Sequence, residues 1–431
     1  MAKTIKAEMW DKMQFLFRNY YDRMIHAVLH FDKPLDIDIL KQVLLFTTEK
    51  VPVLHSRFVT NPIEPYWEVQ QYSMCDILTV KDSTNLDEDI NTFIYQSIPV
   101  ESNVQYRVGV FNKDGHSSFA MIVNHMCFDG GDFKYFLKKL AENYNKLLNN
   151  EKDLNIKSGT REWKSVYTKL SPEDTEVAKS LYKNISAVKD EHKFPLTAPS
   201  ENDKTMICRR KISAELFTKF RMTGKAFDVT VNDLMLAVYI NALYQIGGYR
   251  KSDSLSIPCM VDLRRHIAGG ENAGGLTNHT GFMVCSVTEC GETINDTLIE
   301  VLRSVKKSKK DKFMGLYSLP LLNLAYKIFP HAISETAIKI GYLNPLIGMS
   351  NIGVLDPAKL SFGDATLVDG FMTGAVKFKP YMQLALTSLN DALTLTVAIR
   401  GNEDDEEIIS QFFDIIEANI NDYINLNPTN I

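Results

Sequence analysis

His125 and Asp129, four residues apart, stand where residue type and spacing together suggest chemistry. A neutral imidazole takes and returns a proton near pH 7 without special tuning, from within about 2.6–3.2 Å of that proton. The carboxylate has two uses open to it. It can accept a bond from the other ring nitrogen, or it can turn away, pair with an arginine and hold the loop closed.

The flanking sequence says what would position these groups. Phe119-Ala-Met-Ile-Val123 reads as a buried strand, and Gly130-Gly131 then breaks the chain. Phe133, Phe136, Leu137, Leu140, Tyr144, Leu147 and Leu148 recur at helical spacing, with Asp132 placed to cap the first turn. The histidine is therefore expected at the end of a strand, in a tight strand–loop–helix turn whose backbone the sheet fixes.

Other motifs carry less. Gly348-Met-Ser350-Asn-Ile-Gly353 has one residue too many for a nucleophile elbow, which argues against hydrolase chemistry. The loop Gly269–Gly275 lacks the Lys-Ser/Thr of a phosphate loop and reads as flexible backbone. Lys306, Lys307, Lys309, Lys310 and Lys312 suit a solvated helix C-terminus, with a phosphate or acidic-carrier site as the minority reading. Cys127 sits among apolar neighbours and reads as a buried small residue rather than a nucleophile. The apolar stretch Leu316–Ile347, broken at Pro320, Pro330 and Pro345, reads first as core helix and second as the wall of a substrate channel.

A chain of 431 residues is too long for one ordinary core, so two domains are expected. We divide it into residues 1–160 with the histidine motif, a polar bridging segment 161–204, and 205–431. Mixed α/β halves of similar style suggest a pseudo-twofold pair meeting at a cleft. The second half should include helices at Ser213–Phe227, Val231–Ile246 and Thr293–Lys310, a hairpin turned at Asn390-Asp391, and a closing helix from Glu403 to Tyr423. A formal charge of -5 gives no electrostatic footprint for nucleic acid. The six cysteines are scattered without metal spacing, and no apolar run approaches the roughly 18 residues of a membrane span. No metal, no transmembrane segment and a reducing cytoplasm are the expectations.

Asn124-His125-Met-Cys-Phe-Asp129-Gly130 resembles the H-H-x-x-x-D-G motif of the chloramphenicol acetyltransferase-like superfamily, which includes condensation domains, polyketide-associated acyltransferases and alcohol acetyltransferases. In the same order, Val53-Leu-His-Ser-Arg57-Phe58 resembles its "P-x-L-R-x-R-F" segment and Val261-Asp-Leu-Arg264-Arg265 its "V-D-L-R" segment, followed by Asn278 and Gly281. Ser350-Asn351-Ile-Gly353 resembles its "S-N-x-G" strand. Asn124 replaces the first histidine, and the D-F-G-W-G motif stands as Ser361-Phe362-Gly363-Asp364.

The resemblance spans about residues 8–425. It implies two α/β subdomains with a tunnel between them, where an acyl thioester meets an alcohol or amine at His125. Acyl-CoA, or the phosphopantetheine thioester of an acyl carrier protein, would be the co-substrate, with no bound cofactor. It also implies that His125 is the base and Ser350 or Asn351 the oxyanion donor. Asp129, beside Gly130, would be salt-bridged to Arg57 or Arg264. A CoA-dependent O-acyltransferase is the leading expectation. A carrier-fed amide synthase and a non-catalytic binding protein of the same fold are the alternatives.

Overall fold

The run before His125 lies in a strand, His116–Asn124, that is buried on both faces. Alternation explains its unbroken apolar character. Phe119, Met121 and Val123 enter the main core of the first half, whereas Ala120 and Ile122 enter a second cluster with Phe371 and Ala398 from the other half. The sheet that carries the histidine is thus itself part of the seam between halves.

The computed structural model describes residues 3–157, 159–181, 190–270, 276–317, 319–341 and 343–428. The first half runs β1 (Thr4–Lys6), α1 (Met9–Leu16), β2 (Met24–Phe31), α2 (Ile37–Lys50), β3 (Ser56–Val59), β4 (Tyr66–Val69), α3 (Met74–Ile77), β5 (Leu78–Asp82), α4 (Leu86–Ile94), β6 (Tyr106–Lys113), β7 (His116–Asn124) and α5 (Gly130–Leu148). After α6 (Pro172–Lys179) come β8 (Lys204–Ile212), α7 (Ala214–Ala226), α8 (Val231–Gly247), β9 (Leu255–Asp262), β10 (Thr280–Val287) and α9 (Ile294–Lys310). The remainder is α10 (Leu319–Ile328), α11 (His331–Gly341), β11 (Ile347–Val354), α12 (Pro357–Leu360), β12 (Leu367–Thr373), β13 (Lys377–Phe378), β14 (Met382–Leu389), β15 (Ala392–Gly401) and α13 (Glu403–Leu426).

Three sheets organise these elements. One has five strands in the order β12-β2-β7-β6-β5. The second has seven, in the order β10-β9-β11-β14-β15-β13 with β8 also on β15. The short strands β1, β4 and β3 form the third. Helices α2 and α5 pack the first core, while α7, α8, α9 and α13 supply apolar faces to the second. The fold is mixed α/β, as expected.

The helices begin where their caps dictate. Thr230 accepts from the N–H of Asp233 at the start of α8, and Gly248 ends that helix at φ 62, a left-handed position that favours glycine. The cap of α5 differs from expectation: Asp129, not Asp132, is the N-cap, its carboxylate accepting from the Asp132 N–H. β3 begins only at Ser56, because Pro52–His55 forms a 3-10 turn. Of the glycine-rich loop, residues 271–275 lie outside the described residues.

One strand does not keep to its half of the chain. β12, far beyond residue 205, pairs antiparallel with β2 over Leu367–Thr373 and so completes the first sheet. The turn before it, Ser361–Asp364, sinks Phe362 among Phe31, Phe119 and Tyr144 of the first half. Asp364 pairs with Lys33 there. Among the described residues, no single helix is long and apolar enough to cross a membrane.

Candidate active site

β7 ends because Asn124 folds the chain back. Its buried side chain accepts from the Met126 N–H (3.1 Å) and donates to Gln105 (2.8 Å), so this residue shapes the turn from beneath. His125, next in line, is held at both ends of its peptide unit. Its N–H donates to the Arg23 carbonyl (2.7 Å), and its carbonyl accepts from Asn278 Nδ2 (2.6 Å). The ring lines a cavity of about 640 Å³, within the size range of small-molecule sites.

That cavity lies between the halves. Trp10, Met13 and Tyr21 come from the N-terminal elements, Met260 and Thr280 from β9 and β10, and Ser350 and Asn351 from β11. Leu319, Leu322 and Ile338 of α10 and α11 add an apolar wall, so the channel-wall reading of Leu316–Ile347 describes their inner faces. Their outer faces leave Leu324, Ile328 and Ile333 exposed, unlike core helices.

Burial holds the His125 pKa below the ordinary histidine value, because an imidazolium loses its hydration there. Its own carbonyl and the charge of Asp129 oppose the effect, and the Lys377 ammonium adds to it. The ring is therefore neutral near pH 7. Its Nδ1 is buried, and the Asn278 side chain beside the ring also opposes the effect of burial.

Asp129 takes the second of the two uses open to it. Its carboxylate grips the Arg264 guanidinium through contacts of 3.1 to 3.2 Å and accepts backbone N–H bonds from Asp132 (2.9 Å) and His279 (2.7 Å). Arg264 also reaches Asp132 (2.6 Å) and Asp262 (2.9 Å). One arginine from the second half thus clamps the first turn of α5. Burial alone would raise both inner carboxyls. For Asp129 the guanidinium and backbone donors outweigh it and leave the pKa low. For Asp132 burial and the charge of Asp129 win, raising it to about 7.

Of the two arginines named from sequence, only Arg264 reaches Asp129. Arg57 lies on β3, where the strand alternation turns it outward opposite Glu68, and it pairs with that carboxylate at 2.5 Å. Gly130 also differs from the motif's suggestion. A Cβ there would meet nothing within 4 Å, whereas one on Gly131 would press on Arg264 and Asp129, each at 3.2 Å. The steric demand for glycine falls on the second of the pair. Cys127 is fully buried and its thiol pKa is pushed far up, which removes it as a nucleophile.

Arg161 was not legible from sequence. It arises in the segment read as a polar bridge, yet one nitrogen donates to the carbonyls of Cys127 (2.7 Å) and Leu276 (2.5 Å). The other reaches the Met126 carbonyl (3.0 Å) and the buried Asp11 (2.5 Å). It ties the turn after His125 to α1 and to the segment before β10. Arg161→Met is expected to cost about 3–5 kcal/mol in denaturant unfolding, since it strands the buried Asp11. Arg161→Lys should recover part of that, keeping the charge but not the planar fork. Equal stability of all three proteins would show the contact to be idle.

The "Condensation domain" family matches residues 13–320, well over half of the chain. The chain belongs to the condensation-domain family. Over 357 residues it is 20% identical to bacitracin synthase 3 of Bacillus licheniformis, covering 79% of this chain but only 5% of that protein's length. The first condensation domain of the calcium-dependent antibiotic synthetase, solved with a substrate analogue, is similar at 15% identity and a TM-score of 0.69, covering 98% of this chain and 97% of that one. TRI3 trichothecene 15-O-acetyltransferase of Fusarium sporotrichioides is similar at 11% identity and a TM-score of 0.70, covering 97% and 95%. These structures share the fold, and family membership supports acyl transfer as the general chemistry.

Proposed function

We propose that this condensation-family protein moves an acyl group from a thioester to a hydroxyl or amine, with His125 as the general base. The observation that carries the proposal is a neutral imidazole, fixed through its own backbone, on the wall of a cavity between the halves. The acceptor's O–H or N–H proton passes to Nε2 as its lone pair attacks the thioester carbonyl. Collapse of the tetrahedral adduct breaks the C–S bond, and the imidazolium returns the proton to the departing thiolate. The adduct's oxyanion needs a preorganised donor, and Ser350, on β11 facing the same cavity, is the candidate, with Asn351 beside it. Asp129 makes no hydrogen bond to the ring among the described contacts. It acts as a positioning residue for the loop.

A second cavity, of about 550 Å³, shares Met260, Val261 and Asn351 with the first and has Arg265 and Lys309 on its wall. Two cations there suit the phosphates of CoA or of a carrier's phosphopantetheine arm. We take acyl-CoA as the donor. The relationship to a peptide synthetase favours a second reading, amide formation from carrier-bound thioesters. Free thiol release, followed across acyl-CoAs of increasing chain length with alcohol and amine acceptors, separates these readings. Release from acyl-CoA is the expected result. Turnover of carrier-loaded acyl groups alone would replace CoA with the carrier, and release from neither would point to a binding protein.

A further inference from the structure

Three cations face the larger cavity: Lys134, Arg264 and Lys377. Arg264 is saturated by three aspartates, and Lys134 donates to the Ile352 carbonyl at 2.5 Å. Lys377 is different. Among the described residues its Nζ makes no hydrogen bond or ion pair, and it rests on the face of the Tyr21 ring, 3.8 Å from the centroid.

The position of this lysine is set by backbone. Lys377 opens β13 and forms an antiparallel bridge with Tyr21, while the next N–H, of Phe378, donates to the Tyr20 carbonyl (2.9 Å). On its other side Asp22 and Val376 exchange two bonds, each of 3.0 Å. The same short segment, at Arg23, receives the His125 N–H. Lys377 and His125 are therefore fixed to one stretch of chain and face one cavity.

Asp22 supplies the nearby negative charge, but its carboxylate already serves the N–H groups of Met24 and Val376, and burial raises its pKa to about 6. It offsets only part of the cost of holding an ammonium in the cavity, and burial lowers the Lys377 pKa to about 8. The carboxylates that line the cavity, Asp129 and Asp262, are engaged by Arg264. Met13, Phe17 and Tyr381 make the rest of the surroundings largely apolar. An unpaired cation is costly in such a place unless something anionic joins it, and a tyrosine face compensates only in part.

We propose that Lys377 receives a carboxylate carried by one of the two substrates, so that the cavity selects a negatively charged acyl group or acceptor. The word substrate rests on the acyl-transfer reading; the anion site itself does not. Lys377 is a specificity-determining residue in this view.

The test reads binding rather than turnover. Dissociation constants are measured by calorimetry for two matched pairs: succinyl-pantetheine against its terminal amide, and 3-phenyllactate against 3-phenyllactamide. The proteins are the wild type, Lys377→Met and Lys377→Glu. In one pair the acid should bind the wild type at least about tenfold more tightly than the amide. That ratio should fall to near one in Lys377→Met and below one in Lys377→Glu. The pair that responds identifies the thioester or the acceptor as the bearer of the charge. A ratio near one for both pairs in the wild type, or an acid preference that Lys377→Met leaves intact, overturns the proposal. Should the variants fail to fold, the wild-type ratios alone decide. Absence of thiol release would strike the acyl-transfer reading and leave these binding ratios unaffected.

Discussion

His125→Ala is expected to lower thiol release by about 10²–10⁴-fold, the usual contribution of a positioned general base. The melting temperature should stay close to that of the wild type. The turn holds the residue through its backbone N–H and carbonyl, which alanine keeps. The acid limb of the wild-type rate profile supplies a second check. The base works as neutral imidazole, and burial lowers its pKa, so activity should fall only as pH drops below about 6.5. A midpoint well above that value, or full turnover by His125→Ala, would remove His125 from the chemistry.

The second large effect falls on stability. Arg264→Met leaves Asp129 and Asp132 buried without their shared cation, a loss of about 3–5 kcal/mol. Asp129→Ala should cost less, about 1–3 kcal/mol, chiefly from the N–H groups of Asp132 and His279 left without an acceptor. Arg264 would still hold Asp132 and Asp262, and Asp132, no longer facing the charge of Asp129, would ionise more readily. Denaturant unfolding of both variants and the double variant measures the coupling, which should be far from additive. Equal small losses in all three would mean that the clamp contributes little and that Asp129 is a simple cap.

What the sequence disclosed was mostly local. The strand before His125, the glycine break and the helix after it depend on neighbours within some twenty residues, and period and capping chemistry suffice to read them. Helices α7, α8, α9 and α13 were legible for the same reason. The choice between Arg57 and Arg264 was not, because it depends on which face of β3 looks inward and on a contact across 135 residues. Period-two reasoning on Ser56-Arg57-Phe58 could have turned Arg57 outward, since Ser56 and Phe58 are the buried pair. Arg161 offered no such signal. Its partners are three carbonyls and one aspartate scattered through the chain, and a polar segment hides a buried guanidinium as easily as a solvated one. The helix cap was misplaced by three residues because both Asp129 and Asp132 suit a first turn.

The crossing of β12 into the first sheet binds the two halves of the chain into one unit. Cut between 204 and 205, the N-terminal piece would lack the strand beside β2 and expose a raw edge prone to sticking to other chains. In the intact chain that strand acts as a stitch. Prying the lobes apart at that edge like a clamshell would tear its ladder of hydrogen bonds to β2.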